Sequence, residues 1–206
     1  SPRLGVFNSP WVGLEYFRTL FESEQALVLL KNVLRISIYS LLICFPSSIL
    51  LALLINEVQN ERFKKTVQTI SIMPYFISTL VVCGMVKGLL STDGVLNVLR
   101  TSLGKEPVMF LSEAKLFPTI IVLLGLWQTV GWNALIYTAS LNAIDTRLYE
   151  AARLDGCNRL RLALHITLPG LMPTIIILLL LNLGSLFTVS TDTILLLYSP
   201  LTYETA

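Results

Sequence analysis

Two groups of side chains in this sequence could do chemistry, and neither suggests bond-breaking. The first is a set of amides, hydroxyls and aromatics: Gln128, Trp132, Asn133 and Tyr137, followed downstream by Asn182 and Ser185. Gln128/Trp132 and Asn133/Tyr137 are each four apart, so on a helix each pair shares a face. Aromatic faces stack on the C–H groups of sugar rings, and amides both donate and accept hydrogen bonds, so the set suits a polyol. The same residue types also serve helix–helix hydrogen bonding and interfacial anchoring in membrane helices, and spacing alone leaves both readings open. The second group is Asp145-Thr-Arg-Leu-Tyr-Glu-Ala-Ala-Arg-Leu-Asp-Gly156. Asp145 or Thr146 can cap a helix start, Glu150 and Arg153 are spaced to pair, and Gly156 can end the helix in a left-handed conformation. Ala151 and Ala152 leave the backbone approachable. Leu148, Tyr149, Ala152 and Leu154 offer apolar contact inside a charged rim, which suits a groove on another protein as well as a lipid surface.

Other chemistries lack their residues. Cys44, Cys83 and Cys157 are odd in number and isolated, which gives no disulfide framework and no zinc spacing. No His/Asp/Glu cluster offers a metal site, no nucleophile has a nearby base, and no cofactor is expected. No Gly-rich phosphate loop ends in Lys-Ser/Thr, so any ATP hydrolysis must come from a separate subunit. A net charge of +2 without a basic stripe is too small to suggest a nucleic-acid partner, and none is expected.

The elements that must position these groups are membrane spans. The 206 residues are 54% hydrophobic and 14% charged, with a mean hydropathy of +0.72, against about 25% charged in soluble domains. Charge-free stretches run Ile36–Asn56, Thr66–Val86, Leu116–Ile144 and Ile166–Thr191. At about 1.5 Å per residue, some 20 apolar residues cross a hydrocarbon core roughly 30 Å thick. Runs such as residues 175–181 lack the alternation of a barrel wall. The expected fold is therefore all-α, a polytopic bundle with spans at 33–56, 66–90, 116–144 and 170–191. Pro46, Pro74, Pro118, Pro169 and Pro173 fall in or beside these spans, where membrane helices tolerate a bend.

Lys and Arg density sets the orientation. Arg62, Lys64 and Lys65 mark Glu57–Lys65 as cytoplasmic; Arg147, Arg153, Arg159 and Arg161 do the same for the loop at 145–165. Lys87–Lys115 and the tail Asp192–Ala206 then lie outside, with His165 and Asp192 as interfacial groups. Residues 1–32 become an extracytoplasmic segment in which Trp11, Leu14, Phe17, Leu20 and Phe21 recur at roughly helical spacing, as anchor or lid. No signal peptide is recognisable within residues 1–30, which carry Arg3, Glu15, Arg18, Glu22 and Glu24. The topology thus predicts one further helix at each end, four spans of a six-span protein. The spans hold no mid-membrane ionisable group for a proton relay and no charged ring for a channel. This weighs against the main alternative, an ion-coupled secondary transporter of a small polar solute.

Glu150-Ala-Ala152, three residues, Gly156, nine residues and Ile166-x-Leu168-Pro169 resemble, without a gap, the EAA-loop signature of binding-protein-dependent ABC-importer permeases. The resemblance implies a type I importer permease in a bacterial cell membrane. It also implies that the short helix is a coupling helix docking into an ABC ATPase subunit, with Glu150, Ala151, Ala152, Gly156, Ile166, Leu168 and Pro169 as the coupling residues. Further implied partners are a second related permease, usually forming a heterodimer in carbohydrate importers, an extracellular substrate-binding lipoprotein and membrane lipid. Residues 11–17, 52–58, 63–70, 73–78 and 165–170 are similar to the carbohydrate branch, particularly permeases for complex oligosaccharides in Gram-positive bacteria. That branch places substrate contacts at positions corresponding to Gln128–Trp132 and Asn182–Val189. A permease of the same family for a non-sugar substrate such as a peptide is the nearest alternative.

Overall fold

The computed structural model describes residues 13–186 and 191–198, and every regular element among them is helical. Trp11, Val189 and the end of the tail lie outside the described residues, as do the side chains of Phe17 and Leu20. Helix α1 (Glu15–Glu22) leads into α2 (Glu24–Glu57), whose start Ser23 caps by accepting from the Ala26 N–H. The first span was expected from residue 33; the helix starts nine residues earlier, because Ser23 nucleates it outside the charge-free stretch. Helix α2 runs through Pro46 as one element. Beside the gap, Ser47 and Ser48 donate their hydroxyls to the Ile43 and Cys44 carbonyls, the kind of re-satisfaction that lipid demands.

The expected span 66–90 is not one helix. Helix α3 (Glu61–Ile72) gives way to a 3₁₀ turn at Met73–Phe76, the chain is extended at Ile77 and Ser78, and α4 (Thr79–Leu90) begins anew. Pro74 lies in the first turn of the 3₁₀ segment; it cannot donate to the ladder and disfavours α geometry before it. A short α5 (Val95–Ser102) follows. Asn97, almost fully buried, holds the connection beyond it: its Nδ2 donates to the Ser91 and Val108 carbonyls, and its Oδ1 accepts from the Val108 N–H.

Helix α6 (Phe117–Leu141), with Pro118 in its first turn, lies within the third expected span, short of it by one residue at the start and three at the end. After α7 (Thr146–Leu154) come α8 (Arg159–Leu162), a π turn at Ala163–Thr167 and α9 (Leu168–Gly184), continuous as a helical run. The fourth span, expected at 170–191, therefore starts inside the Arg-containing loop and ends at Gly184. Helix α10 (Thr191–Leu197) packs against α4.

Helices α2 and α6 form the most extensive pair. One buried cluster joins α2, α4, α6 and α10 around Ile36, Val82, Phe117, Val122 and Leu197; another joins α2, α6 and α9 around Ala52, Tyr137 and Leu171. Gly131 permits a close approach of α3 to α6. A Cβ there would run into the Ser71 carbonyl oxygen, so the end of α3 rests directly on the α6 backbone. Outside the clusters, large apolar side chains face outward, with Leu42 67%, Leu80 64% and Leu181 65% exposed. Among the described residues, four stretches, Ala26–Glu57, Thr79–Ser102 (α4 and α5 with the turn between them), Phe117–Leu141 and Arg159–Gly184, are long and apolar enough to cross a membrane. A skin of this kind suits hydrocarbon rather than water.

Candidate functional site: an uncharged cavity and a capped helix

The cavity lies between the two buried clusters and measures ≈ 400 Å³, within the usual range for small-ligand sites. Five of the six sequence-predicted residues line it: Trp132, Asn133 and Tyr137 from α6, and Asn182 and Ser185 from the end of α9. The sixth, Gln128, does not. Its amide donates to the Ile77 carbonyl at 3.1 Å and so supplies a partner where the helix breaks before α4.

The sequence did not single out the opposite wall. Helix α2 contributes Ser37, Ser40, Cys44, Phe45 and Ser48, α6 adds Thr129, and the 3₁₀ turn adds Tyr75. Tyr75 stacks on Trp132 with ring centroids 4.5 Å apart and planes 6° from parallel, and Phe76 meets both rings edge-on. The interruption of the second span thus serves the site: it carries an aromatic ring to the cavity and seats it on another. Phe45 meets Tyr137 edge-on at 6.3 Å. Several hydroxyls and amides already bond locally: Thr129 to the Gly125 carbonyl, Asn182 to Leu178, Ser185 to Asn182 and Ser48 to Cys44. The Asn133 amide, the Trp132 N–H and the Tyr137 hydroxyl have no partner among the described residues. No lining residue is charged. Chemically, the cavity offers stacking faces and neutral donors and acceptors; it has no group to move a proton or hold a metal.

Helix α7 forms as its residue types predict. Asp145 caps it by accepting from the Arg147 N–H at 2.9 Å, which also places a carboxylate at the positive end of the helix dipole. At the other end Gly156 has φ +74°, its N–H donates to the Arg153 carbonyl and the Cys157 N–H to the Ala152 carbonyl. These two bonds make a Schellman motif, which satisfies carbonyls that the helix end would otherwise orphan. One local expectation fails: Glu150 and Arg153 do not pair, and Arg18–Glu22 is the only ion pair among the described residues. Both side chains are exposed, where such a pair is worth little.

Helix α7 has no buried residue, and Leu154 is 90% exposed. Glu150, Ala151 and Gly156 are exposed and Ala152 is half-buried. Ala152 and Ile166 share a groove with Cys157, Arg161, Leu162 and His165. Leu168 and Pro169 stand apart from it, shaping the first turn of α9. The sequence also gave no sign of how α7 is joined to α9. The Tyr149 hydroxyl donates to the Thr167 Oγ1 at 3.1 Å, and the buried Thr167 hydroxyl in turn donates to the Leu162 carbonyl across the π turn. Ile144, in the link from α6 to α7, lies against Gly170, where a Cβ would come within 2.6 Å of its Cδ1.

Among the described residues the chain is a helix bundle with a neutral internal cavity and, separate from that cavity, an exposed capped helix. Residues 38–203 match the family described as "Binding-protein-dependent transport system inner membrane component", and the chain belongs to that family. It is 40% identical over 207 residues to the polygalacturonan/rhamnogalacturonan transport system permease protein YteP of Bacillus subtilis, with all of this chain and 64% of that protein covered. Identity to LplB of the same organism is 38%, covering all of this chain and 65% of the relative. The chain thus spans just under two thirds of the length of these relatives. Among solved structures, a bacterial ABC transporter involved in import of the acidic polysaccharide alginate superposes with a TM-score of 0.92 at 42% identity, over 97% of this chain and 70% of that one.

Proposed function

We propose that the chain is the membrane-spanning part of a permease subunit in an ATP-driven importer, passing a sugar or oligosaccharide delivered by an extracellular binding protein. The observation that carries the reading is the neutral cavity lined by Trp132, Tyr75, Asn133, Tyr137 and Asn182, because stacking faces among amides are what a sugar ring engages. The names of the relatives support the substrate class. YteP is a permease for polygalacturonan and rhamnogalacturonan, and a second superposing structure, at a TM-score of 0.90, is an alginate transporter in complex with a pentasaccharide-bound periplasmic protein.

In this reading α7 faces the cytoplasm and docks on an ABC ATPase subunit, through Glu150, Ala151, Ala152 and the exposed Leu148 and Leu154. Nucleotide-driven movement of α7 would reach α9 through the Tyr149–Thr167 bond and the Ile144–Gly170 contact. Helix α9 carries Asn182 and Ser185 at its far end, so a rigid-body tilt changes the cavity. A second, related permease completes the path, and an extracellular lipoprotein supplies the substrate.

The reading is tested in proteoliposomes holding the complete transporter. A cysteine at Ala151 should cross-link to the ATPase subunit, and Trp132→Ala should lower sugar uptake per ATP hydrolysed without abolishing hydrolysis. Unchanged uptake by Trp132→Ala would remove the cavity from the path.

A further inference from the structure

Helix α2 presents a second set of residues on the side away from the cavity. Arg35, Ile38, Tyr39 and Leu42, together with Lys115 just before α6, line a hollow of ≈ 460 Å³. At about 100° per residue, the middle of this set lies about 180° round the helix from the middle of the cavity set, Ile36, Ser37, Ser40, Leu41 and Cys44. The hollow therefore opens outward, and Ile38 and Leu42 are 48% and 67% exposed within it.

Its depth follows from the sequence. Arg35 immediately precedes the charge-free stretch Ile36–Asn56, and Lys115 immediately precedes the charge-free stretch from Leu116. Twenty-one residues of helix rise about 31 Å, the thickness of the hydrocarbon core. Both cations then stand at the hydrocarbon–headgroup boundary, at the bundle end opposite α7. Each is exposed, and neither forms an ion pair among the described residues.

We propose that this hollow binds an anionic phospholipid, Arg35 and Lys115 holding its phosphate and Ile38 and Leu42 its acyl chain. Two cations meeting above an apolar strip match an amphiphile with an anionic head, the cations facing its phosphate and the strip its acyl chain. A protein helix on the same face would have to bring an acid to each cation. The Tyr39 hydroxyl, in the same hollow, is a further donor to the phosphate or glycerol oxygens.

The test uses the complete transporter in nanodiscs of phosphatidylcholine with added phosphatidylglycerol, counting retained phosphatidylglycerol by native mass spectrometry. Arg35→Gln with Lys115→Gln should lower retention at one site by about thirtyfold, the loss expected for two cations at a membrane surface. The charge-keeping pair Arg35→Lys with Lys115→Arg should retain most of it, which separates loss of charge from loss of folding. Unchanged retention in the Gln pair would overturn the proposal. Two further results would do the same. One is equal binding of soluble glycerol phosphate in detergent, which would mean an anion site without a lipid. The other is an Ile38→Cys thiol in the intact complex that a membrane-soluble maleimide cannot reach, which would mean a protein segment covers the face.

Discussion

Replacing Gly156 separates the conformational role of this residue from a steric one. Its φ of +74° lies in the left-handed region, and an added Cβ would meet nothing within 4 Å. The effect of a substitution in the subunit must therefore come from backbone strain, which costs a non-glycine residue roughly 1–2 kcal/mol. That shifts the balance between the capped and frayed ends of α7 by a factor of about 5 to 30. The bonds lost on fraying are those from the Gly156 and Cys157 N–H groups to the Arg153 and Ala152 carbonyls, so the end of the proposed docking helix loosens while the spans stay folded. The assay is the ratio of sugar transported to ATP hydrolysed by the reconstituted transporter, with amount in the membrane as the control for folding. The expected order is Gly, then Asn, then Ala, then Val, because Asn tolerates left-handed geometry despite being larger than Ala and β-branched Val tolerates it least. Gly156→Asp, with a charge added, should also uncouple. Normal coupling in Gly156→Val would refute the reasoning. So would Asn ranking below Ala, since the effect would then follow side-chain size.

Three other perturbations follow from single contacts. Gly131→Ala drives a Cβ into the Ser71 carbonyl, so α3 must shift from α6; a loss of about 1–3 kcal/mol should appear as a lower Tm of the detergent-solubilised protein. Asn97→Leu removes three hydrogen bonds and leaves the Val108 N–H without its partner; about 1–3 kcal/mol is lost, and limited proteolysis between residues 91 and 110 should accelerate. Tyr149→Phe keeps the ring but deletes the donor to Thr167; the loss is about 1 kcal/mol and should appear as a lower transport-to-ATP ratio at unchanged ATPase rate.

The parts of this structure legible in the sequence are those written in charge and in caps. Charge-free stretches locate α2, α6 and α9 because lipid excludes ions, and Asp145 with Gly156 marks α7 because helix ends need side-chain or left-handed partners. Hydropathy is blind to a break inside an apolar run. Met73–Ser78 is as apolar as the rest of its stretch, so Pro74 reads as a bend whereas the helix stops there. Charge also misleads at Arg159 and Arg161, which make residues 159–167 look like loop although they are helical and lead into α9. The cavity was half legible. The α6 and α9 amides and aromatics stand out among leucines, but Ser37, Ser40 and Ser48 do not, because a serine in a membrane helix can simply bond back to its own helix as Ser48 does. Gln128 looked like its neighbours and differs because Ile77, 51 residues earlier, offers a carbonyl. No spacing encodes a contact at that range.

The most direct test of the central claim is uptake of labelled oligosaccharide by proteoliposomes containing this permease with its ATPase, second permease and loaded binding protein. Uptake that requires internal ATP, external binding protein and an intact α7, and that survives collapse of proton and sodium gradients, is the predicted result. Accumulation driven by an ion gradient without ATP would contradict it.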